Sequence, residues 1–202
     1  LCLNLVVASL GLYHYGRQGY FNIKLILPFV LTSIPFAYLG AYLPIIDWLF
    51  DSLLSFTLLW AAWRLMMSVK NESEVLNPPS VSVSLAAGAG LGFLSGLVGV
   101  GGGIFLSPLL ILKRWASAKQ TAAVSAFFIL VNSVAGIAGA LMSDQAKIDG
   151  DLLIQFSAAV LIGGFLGTRL GANHASDQMI RRLLVVVLVV AAVRRLLGFV
   201  GL

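Results

Sequence analysis

The residues best suited to chemistry are the triplet Gly101-Gly102-Gly103 and the hydroxyl and amide side chains around it. Glycine costs roughly 1 kcal/mol per residue relative to alanine inside a helix, so three in a row interrupt one. Unwound backbone there aims several N–H groups at one point, and a helix starting near Ile104 adds the positive end of its dipole. Such a nest favours negative charge without a buried cation. The hydroxyls of Ser95, Ser107, Thr121 and Ser125 and the amide of Asn132 complete a binding shell, and Arg169 offers a cation within an apolar segment. The chemistry these types support is reversible binding of a small anion. Blander readings stand beside it. Glycines also let helices touch, Asn132 and Ser133 also serve as interhelical hydrogen-bond glue, and Arg169 also snorkels to a basic interface.

These residues sit in segments apolar enough for a bilayer. The chain of 202 residues is 59% hydrophobic and 10% charged, with a mean hydropathy of +0.99, where soluble domains run nearer a quarter charged. The predicted class is an all-α integral membrane protein, a polytopic helical bundle of about six or seven spans. Helices are predicted over about Leu1–Tyr15, Ile23–Ile46, Trp48–Met67, Ala118–Met142, Asp151–Ala172 and Gln178–Phe199. Pro28, Pro35 and Pro44 kink or end the second. The most polar stretch, 68–80, is a linker between a first transmembrane region, 1–67, and a second, 81–202. The chain begins at Leu1 inside an apolar run, which reads as the remainder of a first repeat lacking its natural N-terminus.

Segment 81–112 breaks the pattern, being too long for one straight span and too short for two. A helix broken at membrane depth survives only where protein or a water-filled cavity satisfies the freed backbone, and such breaks bind substrate in many transporters. The segment is either a kinked crossing or a re-entrant hairpin. A crossing divides the cations about seven against six. A hairpin gathers Arg17, Lys24, Arg64, Lys70, Lys113, Arg114, Lys119, Arg169, Arg181 and Arg182 on one side and leaves Lys147, Arg194 and Arg195 on the other. The positive-inside rule favours the second arrangement, with the basic side in the cytoplasm of a cell (inner) membrane.

The chain also repeats itself weakly. Residues 19–25 resemble 146–152, and Phe36-Ala37-Tyr38-Leu39-Gly40 faces Gly163-Gly164-Phe165-Leu166-Gly167 at an offset of about 127 positions. With the hairpin, the two copies have opposite orientations, an inverted repeat of the kind built into secondary transporters. Two glycine ladders, Gly88-Gly92-Gly96 and Gly163-Gly167-Gly171, fit close helix contact through small residues spaced by four. His14, between Tyr13 and Tyr15, fits an interfacial aromatic belt. Pro108 sets the geometry of the short half-helix, and Lys113, Arg114 and Lys119 read as topology determinants.

The run from Gly92 to Pro108 resembles the signature of the sulfite exporter TauE/SafE family of membrane permeases. Ala122-Ala123-Val124-Ser125, Asn132-Ser133, Lys147-Ile148-Asp149 and Gly163-Gly164-Phe165-Leu166-Gly167 continue the pattern in order. The resemblance is strong over the second repeat and loose over the first, where the family's matching glycine motif is absent from this chain. It implies a permease with two repeated halves that moves small sulfur-containing or organic anions, such as sulfite or sulfonates, by alternating access.

Other classes fail on specifics. No Lys-Ser/Thr follows the glycines, so an ATP-driven pump has no phosphate loop. Gly99-x-Gly101-x-x-Ile104 misses the last glycine of a dinucleotide fingerprint. His14 and His174 form no His-Glu-x-x-His, the lone Cys2 cannot build a metal cage, and no serine has a histidine partner in a shared motif. The sequence therefore implies no enzyme, cofactor or metal, and no nucleic-acid partner for a net charge of +5. The expected partners are a small anionic substrate, the lipid bilayer and, compatibly, further copies of the chain. An anion channel and a non-transporting membrane scaffold or subunit remain as alternatives.

Overall fold

The computed structural model of the chain describes residues 1–43, 55, 59, 62–63, 76–143 and 150–199, the side chains of 150–155 and 194–199 excepted. Seven helices account for most of them: α1 (Cys2–Arg17), α2 (Ile23–Tyr42), α3 (Val81–Val98), α4 (Gly103–Leu112), α5 (Ala118–Met142), α6 (Gly150–Asn173) and α7 (Asp177–Phe199). No strand occurs among the described residues. Most of the predicted helix over 48–67, of which 55, 59 and 62–63 are described and helical, most of the linker 68–80, the Lys147-Ile148-Asp149 motif and the cations Arg64, Lys70 and Lys147 lie outside the described residues.

Local chemistry sets the helix ends. The Asn22 side chain accepts from the Leu25 N–H at 3.2 Å and starts α2. That helix stops at Tyr42, with Leu43 extended ahead of Pro44, as proline demands of the residue before it. Ser117 and Gln120 form a reciprocal capping box at the start of α5. Three helices, α2, α3 and α5, are long and apolar enough to cross a membrane. Helices α6 and α7, at 24 and 23 residues, have the length of a crossing.

Helix α5 is central. It contacts α1, α2, α3, α4 and α7. The core joins Leu25, Ile26, Phe29 and Val30 of α2 to Leu106 and Leu110 of α4 and Val124 and Phe128 of α5. Between α2 and α3 the backbones nearly touch. A Cβ on Gly88, Gly92 or Gly96 would strike the backbone at Phe29, Ser33 or Ala37 respectively, so this glycine ladder is a contact seam. The matched order, 88 with 29 and 96 with 37, makes the two helices parallel.

The second ladder is a seam only at Gly171, contrary to the sequence expectation for all three glycines. Gly163 and Gly167 face open space. Helix α6 meets α1 through Gly164, Thr168 and Gly171 instead, a stripe turned away from 163 and 167. Regular spacing fixed a stripe on the helix but not which stripe has a neighbour.

The broken segment is a hairpin. The Asn77 N–H, four residues before α3, donates to the Arg114 carbonyl, two residues after α4, at 3.0 Å. Four extended residues reach about 14 Å at most. Helix α3 alone rises about 27 Å. Had α4 continued the direction of α3, Arg114 would lie about 40 Å from Val81. Helix α4 must therefore return toward the start of α3. Its pairing with α5 agrees: Ser107 lies by Ser125 and a Gly101 Cβ would meet Ser133, an antiparallel order.

The hairpin gathers the starts of α2, α3, α5 and α7 at one end of the bundle with the ends of α1, α4 and α6. Asp177 of α7 accepts from the Ala118 N–H of α5 at 3.0 Å, and Gln18, just after α1, bonds Asn173 at the end of α6. The same end holds Arg17, Lys24, Lys113, Arg114, Lys119, Arg181 and Arg182. Among the described residues this is the basic cluster that the hairpin reading of the sequence gathers on one side. Helix α1 runs antiparallel to α5, with Leu1 against Gly136 and Gly11 against Ala126. Helices α2 and α6 also run in opposite senses. These are the relative directions that an inverted repeat prescribes.

Candidate functional site

The tip of the hairpin is built by three left-handed glycines. Helix α3 ends at Val98 with Gly99 at φ 67°. Gly101 and Gly102 follow at φ 79° and 77°, and α4 begins at Gly103. Left-handed backbone costs a residue with a side chain roughly 1–2 kcal/mol. The surroundings add a second constraint, because a Gly102 Cβ would lie 2.8 Å from the Phe128 ring and 3.0 Å from Ser95 Cβ. The Gly102 carbonyl accepts from the Phe105 and Leu106 N–H groups, each at 3.1 Å. Among the described residues the N–H groups of Gly101, Gly102, Gly103 and Ile104 take no backbone partner. They are the orphan donors of a helix start together with the turn before it.

Three other helices wall this tip. Helix α3 contributes Ser95, whose Oγ would stand 3.1 Å from a Gly102 Cβ. Helix α5 contributes Phe128, Ile129 and Ser133, the last with its Oγ 2.9 Å from a Gly101 Cβ. Helix α1 contributes Asn4, whose Nδ2 donates to the Val100 carbonyl at 3.0 Å. Gly101, Gly102 and Gly103 are buried. Ser95 and Asn132 are 1% exposed and Ser133 is fully buried. Buried polar groups are nearly always hydrogen-bonded, and leaving one unpaired costs about 1–3 kcal/mol. Yet among the described residues Ser95 Oγ, Ser133 Oγ and Asn132 Oδ1 have no partner. Backbone donors and side-chain atoms without partners among the described residues thus lie close together in one buried region. That arrangement suits a small polar ligand that brings its own hydrogen-bonding groups.

The site residues read from the sequence divide into three groups. Gly101, Gly102, Gly103 and Ser95 meet at the tip, and Asn132 lies one helical turn beyond Phe128 on α5. Ser107 and Ser125 lie one turn toward the basic end, where Ser107 Oγ donates to the Gly103 carbonyl at 2.8 Å and stands 2.9 Å from Ser125 Oγ. Thr121 is one turn further, buried, with its Oγ1 unpartnered. Twelve residues of helix, about 18 Å, separate it from Ser133, so a single small ligand does not touch both. Arg169 is away from the tip. It is exposed near the end of α6, with its guanidinium 5.8 Å from the Phe165 ring centre. Sequence gives a residue's depth in a span but not the face it occupies. His14 packs edge-on against Tyr13 and Phe165, with Nδ1 2.9 Å from the Leu10 carbonyl, also away from the tip.

Asn4 escaped the sequence reading. The signal that finds it is internal: Asn4, Ala8 and Gly11 recur as Asn132, Gly136 and Gly139, 128 positions on, within one residue of the offset relating the two repeats. All three small residues of α1 and α5 at the latter positions are buried, as is Ala8.

Comparison with known proteins gives consistent matches. The family model for the sulfite exporter TauE/SafE matches residues 1–195. The chain is 31% identical over 200 residues to the probable membrane transporter protein y4hK of Sinorhizobium fredii, covering 97% of this chain and 80% of that protein. It is 33% identical over 91 residues to the probable membrane transporter protein YunE of Bacillus subtilis, covering 45% of this chain and 31% of that one. No solved structure matches it.

Proposed function

This chain belongs to the sulfite exporter TauE/SafE family, a family of membrane transporters, and from that premise we propose that it is a secondary transporter of small anions. The substrate class is a sulfur oxyanion or a small organic anion, sulfite and sulfonates foremost. The membrane is the cytoplasmic membrane, with the basic end inside. The observation that carries the reading is the hairpin tip, where N–H groups without a backbone partner lie in a loop that packs against Ser95 and Ser133, whose hydroxyls are unpartnered among the described residues. Donors fixed in a buried site bind an anion through dipoles, strongly enough to replace part of its water shell and weakly enough to let it go.

Depth supports the same reading. Phe128 and Ser133 stand about 15 to 22 Å from the start of α5, within a hydrocarbon core about 30 Å thick. Burial of Gly101, Gly102, Gly103, Ser95, Asn132 and Ser133 supports a site closed to both sides at once, as alternating access requires and a continuously open channel does not. Alternating access would expose the tip to each side of the membrane in turn. The hydroxyls of Thr121, Ser125 and Ser107 then mark a polar path along the α4–α5 seam from the basic end.

The test is flux into proteoliposomes. Purified protein should carry labelled sulfite or a small sulfonate, with saturation and with counterflow of unlabelled substrate. Absence of substrate-dependent flux across sulfite, thiosulfate, sulfonates and small carboxylates would defeat the proposal. Flux without saturation or counterflow would make the protein a channel.

A further inference from the structure

One atom at the tip has the wrong polarity for a bare anion. The Asn132 Nδ2 donates to the Phe128 carbonyl at 3.0 Å. A carbonyl oxygen can be met only by the NH2 end of the amide, so the orientation is fixed chemically. Oδ1 is left as a pure acceptor, on a residue 1% exposed, with no partner. On a helix of 3.6 residues per turn, position 132 falls between the directions of 128 and 129. Those two side chains are the ones that meet Gly102 and Gly101. Asn132 therefore stands one turn above them on the same face, beside Ser133.

A fully deprotonated oxyanion presents only acceptors. Its oxygens are satisfied by the backbone N–H groups and the hydroxyls of Ser95 and Ser133, but against Asn132 Oδ1 it sets acceptor on acceptor. An anion carrying a hydrogen of its own satisfies every group. We propose that Asn132 Oδ1 receives a hydrogen bond from the substrate, so that the site selects monoanions bearing an O–H or N–H over isosteres with none. The inference rests on the reading of the tip as the anion site and adds the substrate's protonation and donor pattern to it. Asn132 is a specificity-determining residue on this account.

The probes are hydrogen sulfite and methanesulfinate, pyramidal monoanions in which a methyl group replaces the hydroxyl. Labelled sulfite uptake into proteoliposomes at mildly acidic pH is competed by each in turn. The wild type should favour hydrogen sulfite by about tenfold or more, the effect of leaving one buried acceptor unpaired. In Asn132→Ala the ratio should fall to within about twofold, and Asn132→Leu, closer in volume, should behave alike if Asn132→Ala is poorly folded. Equal competition by the two anions in the wild type overturns the proposal and leaves anion transport standing, with no variant needed. Absence of uptake altogether overturns the transport reading and this inference with it. A preference seen only with sodium present would assign Oδ1 to a cation and overturn it as well.

Discussion

Gly102 has neither the conformational freedom nor the space to become anything else. Its φ of 77° and the 2.8 Å approach of the Phe128 ring to a Cβ penalise even alanine, and leucine more. Gly102→Leu should abolish transport while the protein still inserts in the membrane, measured as uptake against yield in the membrane fraction. Retained uptake would remove the tip as the binding site. Ser95→Ala deletes one donor without adding volume and should raise KM for the anion about tenfold or more. Arg169→Gln should change uptake less than twofold, since Arg169 is exposed and stacks on Phe165 rather than facing the tip. The break at the triplet was legible in the sequence because three glycines in an apolar helix interrupt it, whereas which polar side chains gather round the break depends on packing. For Arg169 the sequence left anion attraction and snorkelling open, and its exposed position agrees with the second. Asn4 was missed because one amide in an apolar run has no partner until the fold supplies the Val100 carbonyl.

At the scale of elements, α2 and α3 form one body joined by backbone contact. A side chain at Gly92 would strike the backbone at Ser33, so Gly92→Leu should destabilise the protein by about 1–3 kcal/mol or more, seen as a lowered Tm in detergent. Gly167→Ala, facing open space on α6, should leave Tm unchanged or slightly higher, because alanine is the better helix former. Equal Tm losses in both would show that the two ladders are equivalent. Helix existence was readable from hydropathy, and the ends fell within a few residues because Asn22 and Pro44 mark their positions chemically. The sense of the broken segment was less legible. Hydropathy is blind to direction, and only the distribution of cations pointed to a hairpin, which the Asn77–Arg114 bond establishes.

For the whole molecule, the hairpin fixes topology. Ser80, before α3, and Lys113, after α4, stand at the same end of the bundle. In a Cys2→Ser background, Ser80→Cys and Lys113→Cys should both react with an impermeant thiol reagent from the cytoplasmic side. Labelling of the two from opposite sides would make the segment a crossing. Asn4 ties α1 to the glycine loop, and Asn4→Ala should alter the turnover rate more than the affinity.

The central claim is that the hairpin tip binds a small anion through backbone and hydroxyl donors. Its most direct test is thermal stabilisation of the purified protein in detergent across sulfite, thiosulfate, sulfate, sulfonates and acetate, in the wild type and in Ser95→Ala/Ser133→Ala. Selective binding to the native state raises Tm in a concentration-dependent way. The account predicts stabilisation of the wild type by a sulfur oxyanion or small sulfonate, and its loss in the double variant. Equal stabilisation of both proteins, or none of the wild type by any of these anions, would contradict it.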